Sequence, residues 1–450
     1  MFAEFILERL RADPDRDAIV WCHERFSNGD IAARVMHWQR ELDLGGVAAG
    51  ATVGLEGDFS PNSVALLLAL VQKNCIIIPQ SNTSRTDRER KDEIAQVEHY
   101  FRSDEADHVV YEKTGRAASH EFYRTLRERG HPGLLLFSSG TSGEPKAAVH
   151  DFVYLLEKFR ARRNAMTTLN FLLFDHWGGL NTLLHTLSNS GLTVTVRDRS
   201  PESVCRLIEE FGVDLLPATP TFLNLMLISG AYRNFDHSSL KVISYGAEPM
   251  PQTTLDRLKQ VFPAIILQQT YGLIEVGVLR SKSKENGSLW VRIGGEGFET
   301  RVVDGMLQIK TKSTILGYLN APSPITDDGW FMTGDAVEQD GEYFRILGRK
   351  SEIINVGGEK VYPVEVESVI QTMNNVLEVT VYGEKNPLIG NLVCAKVRLA
   401  QPADSQEFSA ALKSYCAARL DRFKVPVKVV IMDQQHFGDR FKKTRMVAGR

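Results

Sequence analysis

The chain has 450 residues, a formal net charge of −3, 43% hydrophobic and 24% charged residues, enough length for two or three domains of ordinary globular composition. The near-neutral balance offers no basic face for nucleic acid. The five cysteines, Cys22, Cys75, Cys205, Cys394 and Cys416, are scattered and form no CxxC pair, which fits a reducing cytoplasm and argues against a disulfide framework or metal knuckle.

The opening run MFAEFILERLRADPDRD is amphipathic and charged, unlike a signal peptide. Phe5 to Leu10 is helical in pattern, and Asp17 to Trp21 and Ala51 to Leu55 read as short strands. Asn62 to Val71 is an apolar helix, and Cys75 to Pro79 a buried strand. The most apolar stretch, Val64 to Pro79, is interrupted by Gln72, Lys73 and Asn74, and is too short and polar to span a bilayer. Strand–helix alternation of this kind predicts a parallel α/β sheet.

Leu134 to Phe137 reads as a buried strand that stops abruptly. Ser138, Ser139, Gly140, Thr141, Ser142 and Gly143 follow, all small, and then Lys146 behind Pro145. Short side chains let backbone N–H groups converge on an anion, hydroxyls add donors, and the lysine brings a compact positive charge for a phosphate. The common nucleotide P-loop has Gly directly before its Lys and Ser or Thr directly after. Here Pro145 precedes and Ala147 follows.

The run SSGTSGEPK resembles the phosphate loop of the acyl-adenylate-forming enzymes, which include acyl-CoA synthetases, peptide-synthetase adenylation domains and luciferases. The resemblance implies an α/β fold with a large N-terminal domain, residues 1–348, and a small mobile C-terminal α+β domain, residues 349–450. It implies ATP, Mg2+ and coenzyme A as bound compounds. Thr141 and Lys146 would act on the phosphates, and Thr141 and Glu275 would hold the metal.

Tyr154 to Ala165 reads as a helix. In Phe171 to Leu184, FLLFDHWGGLNTLL, the sequence resembles the family's strand end and helix start that line the acyl pocket, with His176, Trp177, Gly178 and Gly179 fitting the turn. Trp177 puts an apolar plate where amino-acid-activating relatives carry an Asp for the ammonium group. A register slip would bring Asp175 to that place instead. Thr193 to Val196 reads as a strand, Val204 to Phe211 as a helix, and Val213 to Leu227 as strand, turn and helix, with Pro217 and Pro220 forcing the turn.

Val242 to Pro249 is a strand running into Gly246, Ala247, Glu248 and Pro249, a turn that in the family passes under adenine. QQTYGLIEVG, Gln268 to Gly277, resembles the family's aromatic-Gly-x-Thr-Glu motif. By that resemblance Tyr271, followed by Gly272, stacks on adenine, and Glu275 holds magnesium, hard oxygen to hard cation. Ile274 stands where the family has Thr, so either a neighbouring group supplies the missing donor or adenylation is slower.

Gly297 to Leu319 carries strands of a small barrel-like layer, and GYLN, Gly317 to Asn320, matches the family in type. Asp335 is suited to accept both ribose hydroxyls, since an ionised carboxylate offers two acceptor oxygens, and by the resemblance Arg349 would be a second ribose contact. Ser351 takes the hinge position, where a small residue absorbs dihedral change. Gly357 and Gly358 read as a turn, which the resemblance implies would let a pantetheine arm approach the backbone. Val361 to Met373 and Glu407 to Leu420 read as helices, and Val376 to Glu384, Leu392 to Leu399 and Val427 to Met432 as strands. The tail resembles the family's Gly-Lys-x-x-Arg ending through Lys442 and Arg445, with Phe441 replacing the Gly and Lys443 as the competing lysine.

The implied reaction joins a fatty or aryl carboxylic acid to ATP as acyl-AMP and then transfers the acyl group to the thiol of coenzyme A. A ligase loading a carrier-protein phosphopantetheine shares the first step. A nucleotide-binding protein of reduced catalysis is a third reading. The expected location is the cytoplasm, without nucleic acid or a membrane span, and the oligomeric state is open.

Overall fold

The computed structural model describes residues 2–81, 84–138, 144–295 and 297–432. Two large sheets share a helical layer between them. The first runs Ile266–Gln269, Val242–Tyr245, Leu215–Ala218, Thr167–Asn170, Leu192–Thr195 and Asp17–Trp21, each parallel to its neighbour, with Glu24–Ser27 antiparallel at the edge. The second runs Gly317–Tyr318, Lys146–Asp151, Gly133–Ser138, Ile76–Gln80, Thr52–Glu56, His99–Ser103 and Val109–Lys113.

The second sheet departs from the expected parallel pattern. Lys146–Asp151, a strand that was not predicted, returns antiparallel to Gly133–Ser138, with Ser138 opposite Lys146. The small-residue run therefore connects two paired strands, not a strand and a helix. His99–Ser103 and Val109–Lys113 are likewise antiparallel.

The helix Pro61–Gln72 is the centre of the shared layer. Its residues from Ser63 to Gln72 are all buried. A helix apolar on all sides can only be stable when covered all round. Ser60 starts it by accepting the Ser63 N–H, and Pro61 supplies a preset first turn. Its core neighbours come from both sheets: Ile19 and Trp21 of the first, Val53, Leu55, Ile77 and Leu136 of the second.

The expected helix Tyr154 to Ala165 is shorter. It is the single stretch Phe152–Leu156 followed by a 3-10 turn, Glu157–Phe159. Beyond it Arg160 to Arg163 are exposed, and without an apolar stripe to bury the helix has nothing to hold it.

An antiparallel six-stranded sheet completes the large domain, in the order Ser281–Ser283, Trp290–Ile293, Tyr343–Arg349, Phe331–Asp340, Met306–Thr311 and Phe298–Val303. The smaller C-terminal domain has its own sheet, built on the long pair Val376–Asn386 and Gly390–Leu399, with helices Pro363–Ile370 and Ser405–Ala417. Its core, including Val361, Val366, Val379, Val397 and Leu412, is separate from those of the large domain. Among the described residues, no helix is long and apolar enough to cross a membrane.

Leu67 sits fully buried on Pro61–Gln72. Leu67→Ala should destabilise the large domain by about 2–5 kcal/mol, the usual cost of a buried leucine and the cavity it leaves, as read by denaturant unfolding. An unchanged midpoint would contradict the central place given to this helix.

Candidate active site

Parallel sheets collect their functional loops at the carboxyl ends of the strands. Here the two large sheets bring those ends to one cleft of about 2140 Å3. Trp21, Gly57, Ser81, Ser138, Leu172, Arg197, Ala218, Gly246 and Thr270, each the last residue of a strand or within two residues beyond it, line it. The expected residues fall into four neighbourhoods around this cleft.

On the phosphate side, Lys146 begins the returning strand, and its ammonium stands 5.6 Å from the ring centroid of Tyr318. The Tyr318 hydroxyl donates to Glu275 Oε1 at 2.6 Å. Burial and the adjacent Glu275 raise the phenol's pKa, keeping it a donor. One side chain thus links Lys146 to Glu275. Asn320, two residues on, accepts the Ala147 N–H at 3.0 Å and donates to the Pro145 carbonyl at 2.9 Å, pinning the backbone on both sides of Lys146. The roles of Tyr318 and Asn320 were not anticipated, although both lie in the GYLN run. Ser139, Gly140, Thr141, Ser142 and Gly143 lie outside the described residues.

On the ribose side, Asp335 and Arg349 face each other across adjacent strands. Arg349 Nε lies 2.8 Å from Asp335 Oδ1, and the Tyr271 hydroxyl donates to Oδ2 at 2.5 Å. Asp335 is buried. Burial raises its carboxyl above the ordinary value, opposed by the Arg349 charge and the Tyr271 hydrogen bond. The Asp335 N–H donates to Thr333 Oγ1 at 3.0 Å and Arg349 Nη1 to the Thr333 carbonyl at 3.2 Å, so both partners are held from the same residue.

At the turn expected to pass under adenine, two strand ends nearly touch. A Cβ on Gly246 would lie 2.5 Å from Thr270 Oγ1 and 2.7 Å from the Thr270 carbonyl, so only glycine fits. Ala247 follows with φ at 70°, a left-handed conformation costly for a residue with a Cβ. Glu248 Oε2 accepts from Thr221 Oγ1 at 2.6 Å, and Pro249 and Gly272 also line the cleft. Ile274 packs against the core that holds Pro61–Gln72, and its carbonyl accepts from His150 Nε2 at 2.6 Å. Burial drives His150 to a pKa of about 4, so the ring is neutral near pH 7.

On the acyl side, His176 caps the helix Trp177–Ser188, its Nδ1 accepting the Gly178 N–H at 3.1 Å. Trp177 touches the cleft but is only 2% exposed; its ring packs edge-on to Phe152, so it is more a core side chain than the open plate expected. Gly178 lines the cleft. Gly179 does not: a Cβ there would sit 2.3 Å from the Leu173 carbonyl, so it is a packing glycine behind the wall. Asp175 is buried within the wall.

The small domain closes the cleft with Val381, Tyr382, Gly383 and Asn391. Ser351 lies on the rim in the turn Lys350–Glu352. Gly357 and Gly358, with φ at 60° and 96°, form an exposed hairpin turn away from the cleft lining, where the Gly358 N–H donates to Asn355 Oδ1. Phe441, Lys442, Lys443 and Arg445 lie outside the described residues. Among the described residues, no cluster of three or more His, Cys, Asp or Glu side chains could hold a metal. A single carboxylate, Glu275, is nevertheless compatible with Mg2+, which takes one or two protein carboxylates and completes its shell with phosphate oxygens and water.

A family model described as AMP-binding enzyme matches residues 7–305, and one described as AMP-binding enzyme C-terminal domain matches residues 365–445. An indoleacetate–CoA ligase of Aromatoleum aromaticum is 25% identical over 490 aligned positions, covering 96% of this chain and 94% of the relative. A 2-succinylbenzoate–CoA ligase of Listeria monocytogenes is 25% identical, covering 96% and 95%. Among solved structures, an anthranilate CoA ligase in complex with anthranoyl-AMP shares the fold with a TM-score of 0.84 at 18% identity, covering 98% of this chain and 95% of that one.

His150 carries a pH dependence. Its pKa falls from 6.5 to about 4 on folding, so the unfolded chain binds its proton first as pH drops. The stability it contributes is complete above about pH 6.5 and is lost as pH falls towards 4. In denaturant unfolding, the advantage of the wild type over His150→Gln should therefore shrink between pH 7 and pH 4.5. A difference constant across that range would show that His150 is not buried neutral.

Proposed function

The chain belongs to the AMP-binding enzyme family, and on that premise we propose that it activates a fatty or aryl carboxylic acid with ATP as acyl-AMP and passes the acyl group to the thiol of coenzyme A. One observation carries the reading: Lys146, Glu275 and the Asp335–Arg349 pair, distant in sequence, face one cleft that continues along the apolar start of helix Trp177–Ser188. The relatives named as CoA ligases favour coenzyme A over a carrier protein as acceptor.

In this reading Asp335 and Arg349 hold the ribose, and Gly246 to Pro249 with Tyr271 enclose the adenine. Lys146 and the backbone of residues 138–143 neutralise phosphate charge. Bound Mg2+ on Glu275 and Thr141 would supply Lewis-acid stabilisation of the departing pyrophosphate. Tyr318 orients Glu275 by donating to one oxygen and leaves the other available. The acid's carboxylate attacks the α-phosphorus, pyrophosphate leaves, and the thiol later displaces AMP from the mixed anhydride. The chain contributes mainly positioning and preorganised charge.

We place the domain boundary at residues 348 and 349, with Ser351 as hinge, and the enzyme in the cytoplasm. Lys442 serves adenylation by bringing its ammonium to the reacting oxygens, an interaction stronger in the transition state than before it. The small domain then turns and brings Gly357 and Gly358 to the thiol path. The exposed position of that turn supports assigning the present arrangement to the stage before thiol transfer.

Three measurements test this. A pyrophosphate-release assay over a panel of fatty and aryl acids, with and without coenzyme A, should yield AMP and never ADP. Release of ADP with inorganic phosphate would refute the reaction. Asp335→Ala should weaken ATP binding by about 1.5–3 kcal/mol, the scale of hydrogen bonds to a charged group, in calorimetry on a folded protein. Unchanged affinity would remove Asp335 from the ribose site. Lys442→Ala should lower acid-dependent AMP formation by roughly 10²–10³ while sparing thioester formation from supplied acyl-adenylate, and Gly358→Leu should do the reverse. Equal loss in both half-reactions would contradict the two-arrangement account, and Lys443→Ala serves as the register control.

A further inference from the structure

The far wall of the cleft carries polar groups that a plain hydrocarbon tail would leave unused. Helix Trp177–Ser188 turns one face to the cleft, and Asn181 and His185 lie on it one turn apart. At 1.5 Å per residue they stand roughly 6 Å and 12 Å along the axis from Trp177.

Lys158 fixes the first of them. Its ammonium points inward, donating to Asn181 Oδ1 and, at 2.8 Å, to the Val278 carbonyl, and lying 5.6 Å from the Trp177 ring centroid. Lost solvation, with the nearby Arg163 charge, drives its pKa to about 7. In its protonated form Lys158 can only donate, and the amide oxygen of Asn181 faces it. Asn181 Nδ2 is thereby turned to the cleft, where no described residue accepts from it.

His185 is fixed in the same manner. Asn189 Oδ1 accepts the Arg163 N–H at 2.5 Å, so Asn189 Nδ2 faces His185, donating to its carbonyl at 2.7 Å and lying 3.4 Å from Nδ1. Burial, then Arg163 and Lys158, push His185 to a pKa of about 4. The neutral ring with Nδ1 as acceptor carries its proton on Nε2. Two donors, both preset, therefore serve one stretch of the cleft, in a setting whose nearby charges, Lys158 and Arg163, are positive. A ligand that dried them without pairing them would lose affinity.

We propose that the acid activated by this chain carries a hydrogen-bond-accepting oxygen on its tail, taken up by Asn181 Nδ2 and His185 Nε2, with Lys158 as the positioning residue for Asn181. This rests on the acid-activating reading above and names the class of acid. A ketone or a second carboxylate satisfies it; a tail cation does not.

The test uses the full-length protein and acyl-sulfamoyl adenosines of matched tail length: hydrocarbon tails, tails with a ketone at successive positions, and tails ending in carboxylate. Calorimetry should find at least one oxygenated analogue bound about tenfold or more tighter than its hydrocarbon match. Asn181→Leu and His185→Phe should each bring that ratio towards one. Lys158→Met should do so too, because the amide is then free to turn, whereas a merely structural role would weaken both ligands alike. Hydrocarbon analogues bound as tightly as oxygenated ones, or a ratio unmoved in Asn181→Leu and His185→Phe, would overturn the assignment. AMP release with the matching free acids separates the two readings. Preference without AMP formation overturns acid activation alone; AMP formation without preference overturns only this inference. No binding of any analogue overturns both.

Discussion

The ion pair between buried Asp335 and the half-exposed Arg349 is the constraint on which this side of the cleft depends. A carboxylate removed from water is tolerable only when a counter-charge and hydrogen bonds replace its solvation. Arg349 at 2.8 Å and the Tyr271 hydroxyl at 2.5 Å supply them here, and Thr333 holds both partners. The pair ties three parts of the molecule together. Tyr271 follows the edge strand of the first large sheet, Asp335 belongs to the antiparallel sheet, and Arg349 ends that sheet two residues before Ser351. A buried charge in the cleft and the strand end that leads to the small domain are thus held by one interaction.

The cleft is divided by chemistry as well as by shape. Its phosphate end gathers Lys146, Glu275 and Tyr318, and the backbone at Pro145 and Ala147 is fastened by Asn320. Its other end begins apolar, with Leu172 and Phe174 ahead of helix Trp177–Ser188 and Trp177 at its start, and becomes polar further along that helix at Asn181 and His185. Within the helix the change follows its spacing. Positions 177, 178, 181, 182 and 185 share a face, and the residue types on it change with depth.

Close packing sets limits that no single motif conveys. Gly246 is required because Thr270 occupies the space of its Cβ, and Gly179 because the Leu173 carbonyl does. The first lets two strand ends meet at the cleft and the second serves helix packing, though both looked alike as small residues beside a motif.

The sequence by itself determined the helix Pro61–Gln72, the strands at Asp17–Trp21, Thr52–Glu56 and Ile76–Gln80 and most of the small domain's elements, and it displayed the small-residue run ending in Lys146 and the charged residues Glu275, Asp335 and Arg349. These were legible because periodicity, turn residues and charged groups in ordered runs are local properties. The same sequence did not show the helices Asn28–Leu44, Arg85–Ile94 and Glu121–Arg129. Only the tertiary structure decided which residues complete the site. Asn320 reaches the loop across 173 positions to Ala147, and Tyr271 reaches Asp335 across 64. It also decided that Lys146–Asp151 returns as an antiparallel strand, that Trp177 is mostly core, and that Lys158 orients Asn181. Burial and hydrogen-bond partnership are properties of a neighbourhood, and the neighbours come from segments whose spacing along the chain carries no trace of their contact.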